Sequence, residues 1–418
     1  MDILNVLRCR LEIVDDNVPL SELIEQVGHE IPRENSLLLI ELDNVIKRHL
    51  EWVRCMPKVR PIYTVHPYED IRILGIAVLL GCGFVCTTKW DALKLLEIGA
   101  DPRWIFLRDV NNLSLLSFAR RQRIKIICTS VDELRMVQEH FPEARIILQF
   151  SKTIVPEPKD LLTCCDLQSR QLLRISKELN LKVVGGQYLG KASKNINPNE
   201  DIFNLATEFN YHLRYLFLSN KIKLKKHNPL TSWTKTFDEI LPEYCVDQDA
   251  ALMVETDQIY CTAACTELTS VAGKRLFWDQ KQPSRIDRIN YYLNGGSAPS
   301  STREDFDCQP VIWKNLLQCG SYNTSSIFVP TLKNGNISVV KDQPLPELSE
   351  QDILAFENSS TASSDNRFQH PIRLVYIRKS SWLFLQTVSK ARNPERFMTL
   401  VSHIRKCNQI KKLQYDLI

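Results

Sequence analysis

Between residues 61 and 149 short apolar runs recur at a nearly constant interval, with a segment of helical character between each pair. Pro61-Ile62-Tyr63-Thr64-Val65-His66 is followed by Gly83-Phe84-Val85-Cys86, Trp104-Ile105-Phe106-Leu107, Ile124-Lys125-Ile126-Ile127-Cys128 and Arg145-Ile146-Ile147-Leu148. The step is roughly twenty residues, the length of one strand plus one crossover helix. Parallel strands covered on the outside by helices close most economically into a barrel when the unit keeps repeating. The pattern therefore predicts a (β/α)8 barrel, with a doubly wound open sheet as the alternative.

Composition sets the remaining bounds. With 418 residues, 44% hydrophobic and 24% charged, the chain has mass for two cores and the balance of a folded globular protein. The net charge of +4 is small beside 53 basic and 49 acidic side chains, so nucleic acid is not an expected partner. No apolar run reaches the roughly 18 residues that span a bilayer, and Met1-Asp2-Ile3-Leu4-Asn5 lacks the features of a secretory signal. The expected address is cytoplasmic, away from membranes. Thirteen cysteines in such a chain are expected as reduced, mostly buried thiols. Cys164 and Cys165 are adjacent, a spacing that a disulfide bridges only with strain, and no CxxC pair exists to hold zinc.

Along the chain, Leu7 to Val14 alternates in part and is expected as a strand, and Ser36 to Leu42 is a continuous apolar strand candidate. Asp43 to Arg54 places Val45, Ile46, His49, Leu50 and Val53 on one helical face. Ser130 and Glu133 form a capping-box pattern that predicts a helix from Val131, and a second helix is expected over Gln168 to Leu179. Lys182 to Gly186 resumes the strand series. The rhythm weakens after Gly190, through the basic run Lys221 to His227, and recovers at Ala250 to Glu255. Beyond about residue 270 the runs Arg288 to Leu293, Ser325 to Val329, Ile353 to Phe356 and Ile372 to Ile377 predict a second, all-β domain. Gly295 to Arg303 and Ser359 to Asn366 read as polar loops, and Ala391 to Ile418 as a basic helical tail that caps the molecule.

Several of these stretches carry a resemblance. Pro61 to His66, Gly81-Cys82-Gly83-Phe84-Val85-Cys86-Thr87-Thr88-Lys89, Leu179 to Gly185, Tyr291-Tyr292-Leu293-Asn294-Gly295-Gly296, Ser325 to Thr331 and Ile353 to Asn358 stand in one order over most of the chain. Together they resemble the ornithine decarboxylases and the wider fold-type III decarboxylases dependent on pyridoxal phosphate. The resemblance implies a (β/α)8 barrel with a C-terminal β-sheet domain joined by the N-terminal strand, the alanine racemase/ornithine decarboxylase-like fold. It implies an N-terminal segment over 1–35, the barrel over 36–272 and the β domain and tail over 273–418. Head-to-tail dimers sharing two active sites are a further implication.

The positions that carry the family's chemistry are altered. His66 stands where the family has its Schiff-base lysine, and the nearest following lysines, Lys89 and Lys94, are displaced from that strand end. Val85 replaces an acid, and Leu189 replaces the histidine that stacks on the cofactor ring. Residues 221 to 243 contain no glycine, so the phosphate loop has no counterpart. Where the family reads Glu-Pro-Gly-Arg the chain reads Glu255-Thr256-Asp257-Gln258, which keeps only the glutamate that pairs with the pyridine nitrogen. Leu332 and Lys333 replace a cysteine and an aspartate, Gly295 replaces a substrate-binding aspartate, Gln149 an interior arginine, and the tyrosine after Glu357-Asn358 is missing.

With those groups gone, the resemblance points to a catalytically inert member similar to the antizyme inhibitors, which sequester antizyme and so protect active ornithine decarboxylase. No cofactor is then expected, although the family's is pyridoxal 5′-phosphate. In that family the antizyme-contacting surface corresponds roughly to residues 111 to 140, where Arg120, Arg121, Arg123 and Lys125 read as an exposed basic cluster facing an acidic partner, or as a solvated helix end. Pairing with a decarboxylase homologue, as a hetero- or homodimer, is a second non-catalytic role. The alternative is a working decarboxylase of ornithine or another basic amino acid, making putrescine. His66 reads either as a general base or as a hydrogen-bonded rim histidine, and Glu255 as a leftover carboxylate.

Overall fold

A computed structural model of the chain describes residues 3–8, 11–28, 36–65, 70–151, 164–189, 205–219, 250–256, 260, 263–282, 285–294, 310–313, 322–331, 335–350, 352–357 and 372–390. The chain divides into two compact units, one of Met1–Leu7, Arg48–Asp257 and Leu385–Ile418, the other of Arg8–Lys47 and Gln258–Phe384.

Two short strands come first, β1 (Glu12–Val14) and β2 (Leu37–Glu41). Eight follow: β3 (Val59–Thr64), β4 (Gly83–Cys86), β5 (Ile105–Leu107), β6 (Lys125–Cys128), β7 (Arg145–Ser151), β8 (Lys182–Leu189), β9 (Tyr215–Ser219) and β10 (Ala251–Glu255). They close into a barrel in sequence order, with β10 beside β3, and every pair is parallel. Several of the helices between them start at side-chain caps: Asp70 accepts from Arg72 N (2.9 Å), Asn112 from Leu115 N (2.8 Å), and Ser130 and Glu133 form the expected capping box. Each such cap contributes about 1 kcal/mol by satisfying a backbone donor that the helix leaves open. One glycine is required by the packing: a Cβ on Gly185 would lie 2.7 Å from the Tyr215 carbonyl, so only glycine lets β8 approach β9 here.

The barrel is filled rather than hollow. Ile62, Val85, Phe106, Ile127, Ile147, Val184, Phe217 and Met253 form one apolar layer across its interior, and the Phe106 and Phe217 rings meet edge to face at 4.7 Å.

The second unit is built from β1, β2 and seven further strands: β11 (Cys265–Trp278), β12 (Ile286–Leu293), β13 (Pro310–Trp313), β14 (Tyr322–Thr331), β15 (Gly335–Pro346), β16 (Ile353–Glu357) and β17 (Ile372–Arg378). The main path runs β1-β17-β2-β11-β12-β14-β15, with β16 beside β11 and β13 beside β16. One core gathers Val271, Ile289, Tyr291, Ile327, Leu354 and Phe356, another Leu23, Ile24, Leu37, Leu39, Leu268 and Tyr376.

Some expectations need correction. Leu7 to Val14 is not one strand: Ile3–Arg8 is helical, with Leu7 fully buried, and only Glu12–Val14 is extended, because three residues of alternation cannot outweigh burial of a helical face. Strand β2 falls within the barrel span expected from residue 36, yet it lies between β17 and β11, a central position that accounts for its nearly continuous apolar run. Residues 265–270 likewise pair with β2 and β16, so they stand in the sheet and not in the barrel that was expected to run to 272. The barrel's seventh strand, β9, falls in the stretch where the rhythm weakens, because no glycine turn marks it off. Helix Lys379–Lys390 was not anticipated. The run Lys221 to His227, the two polar loops and the tail from Ala391 lie outside the described residues.

Candidate functional site at the barrel ends

Side chains alternate along a strand, so residues two before and two after the apolar layer also point inward, toward the two ends of the barrel. On β5 this reads Trp104-Phe106-Arg108, on β6 Lys125-Ile127-Thr129, on β9 Tyr215-Phe217 and on β10 Ala251-Met253-Glu255. The C-terminal end of the strands is where barrels of this kind place their chemistry.

At that end Arg108 forms an ion pair with Glu255 through Nη2 and Oε1, and Gln187 Nε2 donates to the same oxygen at 3.0 Å. The Arg108 backbone is fixed by its N–H to the Cys86 carbonyl (2.9 Å). The two charged side chains are only 19% and 16% exposed, and Gln187 is fully buried. Among the described residues, the Arg108 Nε and Thr64 Oγ1 atoms are buried there without a hydrogen-bond partner.

At the N-terminal end the arrangement is aromatic. The Arg60 guanidinium lies 3.6 Å from the Trp104 ring centre and donates to the Gly81 carbonyl at 2.7 Å. The Lys125 ammonium sits 4.7 Å from the Tyr215 ring and 5.1 Å from that of Phe106, and donates to the Arg103 carbonyl. Burial, with Arg145 adding repulsion, lowers the Lys125 pKa to about 8. His49, fully enclosed beside the Cys82 sulfur at 3.8 Å, has its pKa lowered to about 3 by burial and by Arg60, while burial pushes the Cys82 thiol up to about 12.

The sequence candidates fall out unevenly. Val85 is wholly buried in the apolar layer. Glu255 stands at the C-terminal end, with partners that sequence reasoning missed, Arg108 and Gln187. The available signal for Arg108 was its place two residues beyond Phe106. Gln149 lies on β7 opposite Gln187, and Leu189 closes β8 opposite Ser151 and Ser219. Lys89 and Lys94 belong to helix Lys89–Glu97, outside the strands. His66, Gln258, Gly295, Leu332 and Lys333 lie outside the described residues, as do the side chains of Cys164 and Cys165.

The basic cluster is corrected. Lys125 is 3% exposed and points into the barrel, because it opens a strand whose alternation carries it inward with Ile127. Arg120 pairs with Glu143 at 2.7 Å, and Arg121 and Arg123 remain on the surface at the end of helix Leu113–Gln122. Among the described residues no group of His, Cys, Asp or Glu could hold a metal, and no helix is long and apolar enough to cross a membrane.

Residues 42–188 match the family described as pyridoxal-dependent decarboxylase, pyridoxal binding domain. The chain is a divergent homologue of the antizyme inhibitors and ornithine decarboxylases. It is 24% identical over 409 residues to antizyme inhibitor 1 of Pongo abelii, covering 90% of each chain, and 24% identical over 420 residues to ornithine decarboxylase of Rattus norvegicus, covering 90% of this chain and 88% of that one. Among solved structures, the arginine decarboxylase of Paramecium bursaria Chlorella virus superposes with a TM-score of 0.72 at 16% identity, covering 85% of this chain and 100% of that one. Ornithine decarboxylase from Entamoeba histolytica gives 0.65 at 19% identity, covering 85% and 98%.

Proposed function

We propose that this chain is a non-catalytic decarboxylase homologue that regulates polyamine metabolism through protein partners, by binding antizyme or by pairing with an active decarboxylase. The observation that carries the reading is Val85. The resemblance puts an acid there, and in this chain the position is part of a dry apolar layer, fully buried among Ile62, Phe106 and Met253. The described residues do not fit pyridoxal phosphate. The carboxylate that would meet its ring nitrogen, Glu255, already has Arg108 and Gln187 as partners. The sequence adds His66 for the Schiff-base lysine and Gln258 for the phosphate arginine.

Antizyme inhibitors stand among the homologues beside the decarboxylases, which supports partner binding as the role that remains. With Lys125 turned inward, the surface offered to an acidic partner narrows to Arg121 and Arg123, with Arg120 already engaged by Glu143. A cytoplasmic address and a dimeric state accompany this proposal.

The test is a pyridoxal phosphate titration of the purified protein, followed by borohydride reduction, with ornithine decarboxylation assayed in the same samples. No visible aldimine band and no carbon dioxide release are expected, together with capture of purified antizyme or of active ornithine decarboxylase. A band that borohydride fixes covalently, accompanied by turnover, would establish the decarboxylase instead.

A further inference from the structure

Glu255 keeps its family residue type although the groups that would surround the cofactor with it have changed. A carboxylate half-withdrawn from water and left without a task is costly, so its persistence needs a cause. The barrel topology supplies one. Going round the wall, β10 is separated from β5 by β3 and β4, and from β8 by β9. The Arg108–Glu255 and Gln187–Glu255 contacts therefore do not join paired strands; they cross the interior above the apolar layer.

We infer that Glu255 is the keystone of an internal strut, Arg108–Glu255–Gln187, which braces three separated strands across the C-terminal end of the barrel and occupies the carboxylate that a pyridine nitrogen would otherwise meet. Arg108 supplies from within the chain the positive charge that a protonated ring nitrogen would bring. Gln187 shares the same oxygen as a neutral donor and fixes the carboxylate's orientation. The inference goes beyond the non-catalytic reading and does not depend on it: an intramolecular cation at Glu255 is a property of this fold whether or not the protein has partners.

The strut makes a prediction that a leftover carboxylate does not. Truncating one member leaves the other charge part-buried and uncompensated, whereas replacing both with apolar groups of similar volume removes the penalty. Urea denaturation of the full chain, compared among wild type, Arg108→Met, Glu255→Leu and the double variant, reads this directly. Each single variant is expected to lower the folding equilibrium constant by about 30-fold or more, and the double variant to return within about tenfold of wild type. Single changes costing less than about threefold, or a double variant no more stable than either single, would overturn the strut. If a single variant does not fold at all, Glu255→Gln, which keeps the shape, takes its place beside the double.

Pyridoxal phosphate titration of wild type and Glu255→Gln separates the two readings. Binding by wild type that weakens in Glu255→Gln makes Glu255 a cofactor ligand and overturns the inference. Equal binding by both removes the argument that the pocket excludes the cofactor and leaves the strut in place. Binding by neither supports both.

Discussion

Both ends of the barrel place cations against the same apolar layer, and they satisfy them by different means. At the N-terminal end Arg60 and Lys125 rest on the faces of Trp104, Tyr215 and Phe106 and donate to the carbonyls of Gly81 and Arg103. At the C-terminal end Arg108 faces the carboxylate of Glu255. Aromatic faces and backbone carbonyls hold a buried ammonium without a full counter-charge, at the cost of a pKa lowered to about 8, since lysine can release its proton. Arginine does not release its proton, and at the C-terminal end the charge of Arg108 is met by a carboxylate. The comparison teaches that one end is set by polarisable rings and the other by a pair of formal charges.

The largest expected effect tests the layer between the two ends. Val85→Asp would place an unpaired carboxylate in it, and the expected loss is about 3–5 kcal/mol of folding free energy or failure to fold. A urea midpoint equal to that of wild type would mean the layer is wet and the two ends are not insulated from each other.

Acid should act on the N-terminal end first. His49 stays neutral in the folded protein down to about pH 3, while the unfolded chain takes up its proton near pH 6.5. Stability is therefore lost as pH falls from about 6.5 toward 3, and His49→Phe flattens that limb of a pH series of urea midpoints. An unchanged limb would place the acid sensitivity elsewhere.

Lys125→Met sharpens the contrast with Arg108→Met. Because rings and a carbonyl, and no partner that would be left charged in direct contact, surround Lys125, its replacement is expected to change stability at pH 7 by no more than about 1 kcal/mol. Between pH 8 and about 10.5 the unfolded chain still holds the lysine proton that the folded chain has released, so wild-type stability rises with pH there and the variant's does not. A midpoint series that rises equally in both proteins would refute the assignment.

The smallest effect lies outside the barrel. Arg123 ends its helix at φ 55°, a left-handed conformation that glycine adopts without strain. Arg123→Gly should stabilise by up to about 1 kcal/mol. It also removes one of the two surface cations left to the proposed partner surface, so weaker antizyme capture together with raised stability would separate binding from folding.

Much of the barrel was legible because βα repetition is a local, periodic signal: β4 and the capping box at Ser130 stand where the pattern put them. Strand β9 was not, since the four apolar residues Tyr215 to Leu218, without turn punctuation, carry too little period to be seen alone. Strand β2 was recognised as a strand and given to the wrong sheet, because a run buried on both sides looks the same in a barrel wall and at the centre of an open sheet. Of the candidate site, the retention of Glu255 was visible and its partners were not.

The sequence by itself determined the alternation along each strand, and with it which residues share the barrel interior: Lys125 with Ile127, Arg108 with Phe106, Glu255 with Met253. Only the tertiary structure decided which of those inward groups meet. Arg108 and Glu255 are 147 residues apart, and their contact exists because closure of the sheet brings strands that never pair with each other to opposite walls of one narrow interior. Charge type is written in the chain; the company a charge keeps depends on the curvature of the sheet that carries it.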